Sequence, residues 1–286
     1  MKIQTMFTDL GRTVYSFEVF PPKKDQRIES IYDKLEDICA CQPDFISVTY
    51  GAGGGGNSNR TAEIAARIKN VHGVEAAAHL TCLYNSKEDV DYTLADLKEK
   101  NLENLLCLRG DINPDFPPKD DFHHADELVA YIAGKGGFDL AGACYPEVHP
   151  NSANEIEDVL NLKKKVDAGV THLISQLFFD NESFYRFRER TQLAGIDVPL
   201  EAGIMPVMNR GQIERMVTMC GASIPAKLSR MMIKWEDPQD LREAGIAYAV
   251  DQILDLIAAG VDGIHLYTMN NPDVAATITD AVHNLL

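Results

Sequence analysis

A glutamate interrupts an apolar segment near the start of the chain. Glu18 lies within the run 14–20, whose β-branched and aromatic residues predict a buried strand that ends at Pro21 and Pro22. Burying a carboxylate costs several kcal/mol unless the group is neutralised or paired. Removal of water also raises the pKa of a carboxylic acid, which makes a buried one a candidate proton donor near neutral pH. A single buried glutamate is more often a structural salt bridge, so the acid hypothesis depends on its companions.

The same pattern recurs along the chain, since apolar runs repeatedly end in one or two polar residues before a turn and an amphipathic stretch. The predicted strands are 14–20, 44–50, 75–81, 105–111, 140–145, 172–176, 198–204 and 263–267. The predicted helices are 26–41, 58–71, 86–100, 124–135, 152–168, 181–193, 209–220 and 272–285, with an additional helix at 238–259 before the eighth strand. This alternation predicts one α/β domain, a single (β/α)8 TIM barrel over residues 1–286. The alternative is an open doubly wound sheet, but no G-x-G-x-x-G follows the first strand.

Polar residues fall on one face at the end of several predicted strands. Successive side chains of a strand alternate between its faces, and chemistry in such barrels lies at the carboxyl ends of the strands. The predicted pairs that share a face are Ser16 with Glu18, Ser47 with Thr49, His79 with Thr81, and Cys107 with Arg109. A barrel with a purely structural interior has little reason for this arrangement, which favours a site at the barrel mouth.

Composition narrows the classes of partner. The formal net charge of −16 argues against nucleic acid and anionic membranes as partners. The six cysteines are scattered without a C-x-x-C pair, and His123 and His124 lack further ligands, so no metal site or disulfide framework is predicted. No apolar stretch is long enough to span a bilayer or to act as a signal sequence, so we expect a cytoplasmic protein.

A local basic site is nevertheless predicted on one helix. Asp158, Asn161 and Lys165 recur at helical spacing and line a face distinct from the apolar stripe. A charge run such as 163–165 alone more often marks a solvated surface. The preceding segment 145–150, Tyr-Pro-Glu-Val-His-Pro, adds aromatic and imidazole groups between strand and helix. Together they favour a diphosphate and ribose site beside the barrel mouth.

The run from Gly51 to Gly56 follows the second predicted strand. Consecutive backbone N–H groups of this kind can cradle a phosphate. The segment lacks the G-x-x-x-x-G-K-[ST] pattern, however, and so is not a P-loop. We expect Gly53–Gly56 to form a mobile loop at the mouth, or one that a ligand approaches closely.

Seven segments, taken in order along nearly the whole chain, resemble the catalytic barrel of bacterial-type 5,10-methylenetetrahydrofolate reductases. They are 16–22 (SFEVFPP), 47–52 (SVTYGA), 79–82 (HLTC), 108–111 (LRGD), 145–150 (YPEVHP), 161–169 (NLKKKVDAG) and 265–268 (HLYT). The resemblance implies an FAD enzyme that reduces 5,10-methylenetetrahydrofolate to 5-methyltetrahydrofolate. NAD(P)H would first reduce the flavin and leave, and the folate would then take hydride from flavin N5. It also implies a homo-oligomer, while NADH, NADPH and a protein electron donor stay open.

The resemblance also implies roles for individual residues. Glu18 matches the acid that protonates folate N10, and Asp111 matches a catalytic carboxylate that approaches the pterin and tunes the flavin. The positions implied to bind the cofactor are Thr49, Tyr50, His79, Arg109, Gly110, Asp111, Ala125, Tyr145, His149, Ser152, Asp158, Asn161, Lys164 and Lys165. The positions implied to bind substrate are Asp111, Gln176, Gln212, Met216 and Asn271.

Two positions depart from the family pattern. Met216 stands where the family has an aromatic side chain that stacks on both substrates, and Asn271 stands where an arginine meets the folate glutamyl tail. Lys227 or Arg230 are candidates to replace that charge. Two competing functions follow: another flavin-dependent barrel dehydrogenase, similar to proline dehydrogenase, or a flavin- or folate-binding subunit of an electron-transfer complex.

Overall fold

Eight parallel strands close into a barrel in which each strand pairs with its neighbours in chain order. The computed structural model describes residues 1–23, 25–50, 58–115 and 117–286. The strands are β1 Val14–Val19, β2 Phe45–Val48, β3 Glu75–Thr81, β4 Asn104–Leu108, β5 Asp139–Cys144, β6 His172–Ser175, β7 Leu200–Ile204 and β8 Gly263–Tyr267. The predicted (β/α)8 barrel is confirmed. The glycine run, including Gly53–Gly56, lies outside the described residues, so its predicted role stays a prediction.

Helices follow the strands and form the outer layer of the barrel. Within the described residues they are α1 Met6–Asp9, α2 Tyr32–Ala40, α3 Ser58–His72, α4 Lys87–Glu99, α5 Ala125–Lys135, α6 Glu155–Asp167, α7 Asn181–Leu193, α8 Arg210–Cys220, α9 Ala226–Lys234, α10 Pro238–Ala258 and α11 Pro272–Val282. Side-chain caps fix several starts: Ser86 forms a capping box at α4, and Asp237 caps α10 just before a proline. The additional helix predicted before the eighth strand is α10. Helix α9 was not predicted, because it is short and buries only Leu228 and Met232.

The amino-terminal end of the barrel is closed by apolar side chains. Phe45, Leu106 and Ile174 point inward from three strands and pack with Ile3 and Met6 from the segment that precedes β1. Because this end is filled, a ligand can enter the interior only from the carboxyl-terminal end of the strands. The packing therefore places the site at the end that the sequence predicts.

Side-chain alternation confirms the predicted inward positions in some strands and corrects one. Ser16 and Ser47 both reach His265 across the interior. The prediction for Cys107 is wrong, because this residue packs in the layer between barrel and helices while its neighbour Leu106 points inward. Strand β4 ends one residue before Arg109, so the parity of the strand does not extend to the arginine.

Two predicted strands extend two or three residues beyond the carboxyl ends of the observed ones. Strand β2 ends at Val48 and β4 ends at Leu108, whereas both were predicted to run several residues further. Thr49 and Tyr50 therefore belong to a loop at the mouth, as does the segment 109–111. Side chains on these loops reach the space above the barrel rather than its interior.

Helix α10 crosses close to the chain that leaves β7. An added Cβ at Gly245 would lie 1.9 Å from the backbone oxygen of Val207, well inside van der Waals contact. We predict that Gly245→Ala lowers the free energy of unfolding by about 3 kcal/mol, at the upper end of overpacking effects. Gly134→Ala is the matched control, because nothing lies within 4 Å of an added Cβ there. The control should stabilise the exposed helix by about 0.5–1 kcal/mol. Urea unfolding measures both, and equal stabilities would contradict the close approach.

Candidate active site

Two connected cavities occupy the carboxyl-terminal mouth of the barrel. The first, which we call the mouth cavity, has a volume of about 480 Å³, within the range of small-molecule sites. Its lining includes Glu18, Thr49, Tyr50, His79, Arg109, Gly110, Asp111, Ala125, Tyr145, His149, Lys165, Gln176 and Met216. The second, the side cavity, has a volume of about 410 Å³ and adds Ser152, Asp158, Asn161 and Lys164. All fourteen positions implied to bind the cofactor line one of the two.

Glu18 lies on the floor of the mouth cavity between two histidines. Its Oε2 is 3.6 Å from Nε2 of His79 and 3.8 Å from Nε2 of His265. The side chain of Glu18 is 20% exposed, so the carboxylate borders the cavity rather than being fully buried as the apolar run predicts. Both histidines are buried. The carboxylate is thus accessible to a ligand from above and lies beside two imidazoles below.

His79 is neutral at physiological pH. Burial lowers its pKa to about 4, although the carboxylate of Glu18 acts in the opposite direction. Its Nε2 has no hydrogen-bond partner among the described residues. A buried polar atom without a partner is unfavourable, so a ligand atom in the cavity would satisfy it.

The irregular segment after β4 lies at the edge of the mouth. Gly110 has φ +88°, and an added Cβ would lie 3.1 Å from Cβ of Thr81, so glycine fits both the conformation and the space. Asp111 is exposed at the rim, and Arg109 lines both cavities. This places an acidic and a basic side chain on opposite sides of one glycine.

The segment between β5 and α6 brings two rings together. Tyr145 and His149 are in edge-to-face contact with ring centroids 4.5 Å apart. Val148, between them, has φ +75°, which is rare for a β-branched residue. Backbone strain of this kind is often found at functional sites. Burial, and then the charge of Arg109, lowers the pKa of His149, which favours a neutral ring.

Helix α6 presents the predicted polar face to the side cavity. Ser152 donates a hydrogen bond to Asp158 at 2.8 Å, and Lys164 donates to Asn161 at 3.1 Å. Lys165 reaches back to the barrel and donates to the backbone oxygen of Ala143 at 2.7 Å. Loss of water lowers the pKa of Lys165. These side chains form a set of donors and acceptors suited to phosphate and ribose groups.

The positions implied to bind substrate divide into two groups. Asp111, Gln176 and Met216 line the mouth cavity. The structure does not bring Gln212 or Asn271 into it. Asn271 instead caps α11, where its side-chain oxygen accepts from the backbone N–H of Val274 at 3.3 Å.

The alternative cation Lys227 has a partner on another helix. Its ammonium is 2.5 Å from the carboxylate of Asp251 on α10. A role in binding the folate tail would compete with this ion pair. Such a role stays a prediction, as it does for Arg230.

Several lining residues were not singled out from the sequence. Tyr267 and Met269 border the mouth cavity, as does Tyr84 from the loop after β3. Met269 and Asn270 both have positive φ, at +53° and +52°, which the sequence does not reveal for methionine. Tyr267 follows His265 by two residues in β8, so side-chain alternation was the available signal for it.

Among the described residues, no group of three or more His, Cys, Asp or Glu side chains is arranged to hold a metal ion. No helix in the same part of the chain combines the length and the apolar character needed to cross a membrane.

The fold and the site define a (β/α)8-barrel protein with a ligand cavity at the carboxyl ends of its strands. Residues 2–283 match the family model described as methylenetetrahydrofolate reductase. The chain therefore belongs to the methylenetetrahydrofolate reductase family, whose members are oxidoreductases. Membership argues against the proline dehydrogenase-like alternative.

Curated relatives agree with this assignment. The chain is 38% identical over 269 residues to a 5,10-methylenetetrahydrofolate reductase from Pectobacterium carotovorum, covering 94% of this chain and 89% of the relative. It is 36% identical to the enzyme of that name from Escherichia coli, with 94% and 90% covered. It is 35% identical to methylenetetrahydrofolate reductase (NADH) 1 of Arabidopsis thaliana. This match covers 92% of the chain but only 47% of the plant protein.

A solved structure shares the fold at low sequence identity. It is an uncharacterized protein from Clostridium thermocellum that binds two copies of 5-methyl-5,6,7,8-tetrahydrofolic acid. The TM-score is 0.71 and the identity 11%, with 99% of this chain and 100% of the other covered. This likeness supports the barrel fold alone.

The neutral state of His79 predicts a dependence of stability on pH. Its pKa is about 4 in the folded protein against an ordinary 6.5, so the unfolded chain binds more protons between these values and stability falls as pH falls. Between about pH 7.5 and about pH 5 the loss from this residue is about 2 kcal/mol. His79→Gln should therefore lose about 2 kcal/mol less than the wild type over that range, as measured by urea unfolding. His123→Gln, at an exposed position, is the control. A variant that loses as much as wild type would contradict the neutral, buried imidazole.

Proposed function

We propose that this protein reduces 5,10-methylenetetrahydrofolate to 5-methyltetrahydrofolate, with bound FAD as the hydride carrier and Glu18 as the acid. Family membership supports the overall reaction. The observation that carries the mechanism is the carboxylate of Glu18 on the cavity floor, within 4 Å of two buried imidazoles and open to a ligand above. An acid in this position is within reach of a substrate nitrogen bound in the cavity.

The lining of the two cavities fits FAD. The unpartnered Nε2 of His79 offers a hydrogen-bonding group to a ring system in the mouth cavity. On the other side, Lys165 is placed to neutralise a diphosphate, while Asp158 and Asn161 supply acceptors and donors for a ribose. When bound, FAD would supply the two-electron chemistry that passes hydride between the nicotinamide and the folate.

The protein's own part in the folate step is proton transfer and charge placement. Protonated Glu18 gives its proton to folate N10, the N10–CH₂ bond of the imidazolidine ring breaks, and a reactive iminium forms at N5 of the folate. Glu18 is left as a carboxylate beside neutral His79. Asp111 at the rim places a negative charge near the pterin and the cationic iminium, which favours that charge. Glu18 must regain one proton in each turnover, since the overall reaction consumes one.

We assign the reducing substrate to NAD(P)H. The names of plant relatives that share 34–35% identity with this chain contain NADH, which supports NADH as the first donor to test. Location in the cytoplasm and assembly into a homo-oligomer stay predictions. If reduced nicotinamides fail to reduce the bound flavin while a chemical reductant succeeds, the alternative of a subunit in an electron-transfer complex gains support.

Glu18→Gln separates the two halves of the reaction, because it keeps the shape but removes the acidic proton. Reduction of the flavin by NADH should stay within about threefold of wild type, whereas reoxidation by methylenetetrahydrofolate should fall by at least ~10²-fold. Anaerobic stopped-flow absorbance measures each step. Glu88→Gln, an exposed change of the same kind on α4, controls for the loss of a charge. Reoxidation at the wild-type rate in Glu18→Gln would remove Glu18 from the role of acid.

Lys165→Met tests the cofactor and the side cavity. Losing a charge-assisted hydrogen bond costs about 1.5–3 kcal/mol, so the Kd for FAD should rise by about 10- to 100-fold. Lys163→Met is a close control, because Lys163 is on the same helix but pairs with Asp167 and lies outside both cavities. Flavin released by heat should be FAD by chromatography, and fluorescence titration of the apoprotein gives the affinities. Equal affinities in the two variants would place the diphosphate elsewhere.

A further inference from the structure

A second glutamate lies inside the barrel, beneath the cavity. Glu201 on β7 is fully buried, as are Ser16 on β1 and His265 on β8. The hydroxyl oxygen of Ser16 is 2.6 Å from Oε2 of Glu201 and 2.7 Å from Nδ1 of His265. The opposite nitrogen of His265 faces Glu18 at 3.8 Å. A chain of four side chains therefore connects the interior to the carboxylate on the cavity floor.

The neighbouring strand leaves room for this second carboxyl group. Gly263 on β8 is the register partner of Glu201. An added Cβ at Gly263 would lie 2.6 Å from Cγ of Glu201, so a larger residue there would displace the glutamate. The Oε1 atom of Glu201 has no hydrogen-bond partner among the described residues. The neutral, protonated form of such a group avoids burying an uncompensated charge.

We propose that Glu201 stores a proton and passes it through Ser16 and His265 to Glu18, supplying the proton that Glu18 gives to the bound substrate. This inference rests on the proposed function, because it assigns Glu201 a supporting part in the same proton transfer. The family assignment and the relatives' names do not address such a supply.

The transfer is balanced in protons and needs no other reactant. Before transfer, protonated Glu201 donates to Ser16, Ser16 donates to Nδ1 of His265, and the Nε2–H of His265 faces the carboxylate of Glu18. Each proton then moves one position along the chain. The O–H bonds of Glu201 and Ser16 and the Nε2–H bond of His265 break, and a new O–H bond of Ser16, the Nδ1–H bond of His265 and the O–H bond of Glu18 form. The chain ends with Glu201 ionised, Ser16 donating to it, and His265 in the opposite neutral tautomer.

The 3.8 Å between His265 and Glu18 is about 1 Å longer than a hydrogen bond. Glu18 borders the open cavity and is partly exposed, so its side chain has room to rotate toward His265. Ser47 also lies 3.4 Å from Nε2 of His265 and offers a hydroxyl beside the same gap. When ligands cover the cavity and exclude bulk water, the chain of side chains still supplies Glu18 with a proton. When the cavity is open, water protonates Glu18, and the same chain returns a proton to Glu201.

The charges around Glu201 fit a group that changes protonation near neutral pH. Burial raises its pKa to about 7, opposed by His265 and by the hydrogen bond from Ser16. Asp44, before β2, and Asp262, before β8, add negative charge that raises the pKa further. Glu201 is therefore protonated below about pH 7 and ionised well above it.

An infrared pH titration tests the store without any substrate. The purified protein should show the carbonyl band of a protonated, buried carboxyl group at about pH 6, and this band should vanish as the pH rises through about 7. Glu201→Gln should lack the band. Asp139→Asn is the control, because Asp139 is a buried carboxylate in the same barrel, bonded to Thr171 and to the backbone of Gln4. A wild type without the band, or the same band in Glu201→Gln, would overturn the proposal.

The folate half-reaction tests the delivery. In Glu201→Gln, reoxidation of reduced flavin by methylenetetrahydrofolate should be about tenfold slower than wild type at about pH 6, and within about twofold at about pH 9, where the wild-type store is empty. Reduction by NADH should be unchanged at both pH values. Ser16→Ala, which breaks the chain but keeps Glu201, should reproduce this pH-dependent loss and so serves if Glu201→Gln does not fold. A loss of equal size at every pH would assign Glu201 a structural role and overturn the proposal.

The two experiments separate this proposal from the proposed function. A wild-type protein that shows the band but does not reduce methylenetetrahydrofolate would refute the function and leave the proton store standing. A wild-type protein that reduces methylenetetrahydrofolate but lacks the band would support the proposed function and refute the proton store.

Discussion

Closure of eight parallel strands forces every second side chain into one shared interior from which water is largely excluded. Any polar group placed there needs a partner from another strand, because the backbone groups are already bonded in the sheet. Near the amino-terminal end the interior is largely filled by apolar side chains such as Phe45 and Leu106. Nearer the mouth it holds glutamate, serine and histidine in mutual contact. The polar groups that border an open cavity, Glu18 and His79, lie at the mouth, which is therefore the end of the barrel that can do chemistry.

The polar interior and the cavity above it work as one unit. His265 contacts Ser16 and Ser47 within the barrel and faces Glu18 at the cavity floor. On its inner side the proposed acid therefore lies against ordered polar side chains rather than solvent. Neutral His79 completes this floor without adding positive charge. The charged groups that suit a dinucleotide lie to one side, on α6, where Lys165 reaches the barrel. The proposed acid and the proposed dinucleotide site thus lie on different surfaces that meet at the mouth.

Strained backbone is concentrated around this mouth. Val148, Met269 and Asn270 have positive φ, and all three lie in segments that follow strands and border the cavities. Asn270 also bonds the backbone of Phe20 on both its N–H and its C=O, which joins the exits of β1 and β8. The surrounding hydrogen bonds hold these residues in conformations that they rarely adopt alone. The mouth is therefore shaped before a ligand arrives.

The sequence alone predicted the barrel, because the alternation of apolar strands and amphipathic helices is a local, repeated signal. It also predicted the polar face of α6, since helical spacing brings Asp158 and Lys165 to one side. The roles of individual residues around the mouth came instead from resemblance to a family. The sequence did not predict that Cys107 packs outside the barrel, that Asn271 caps α11, or that α9 exists, because these depend on where strands end and on what packs nearby. Nor did it mark Glu201, which stands in a weak, proline-containing strand; only the closed barrel brings this carboxyl group to Ser16 and His265, whose positions in the chain are far apart.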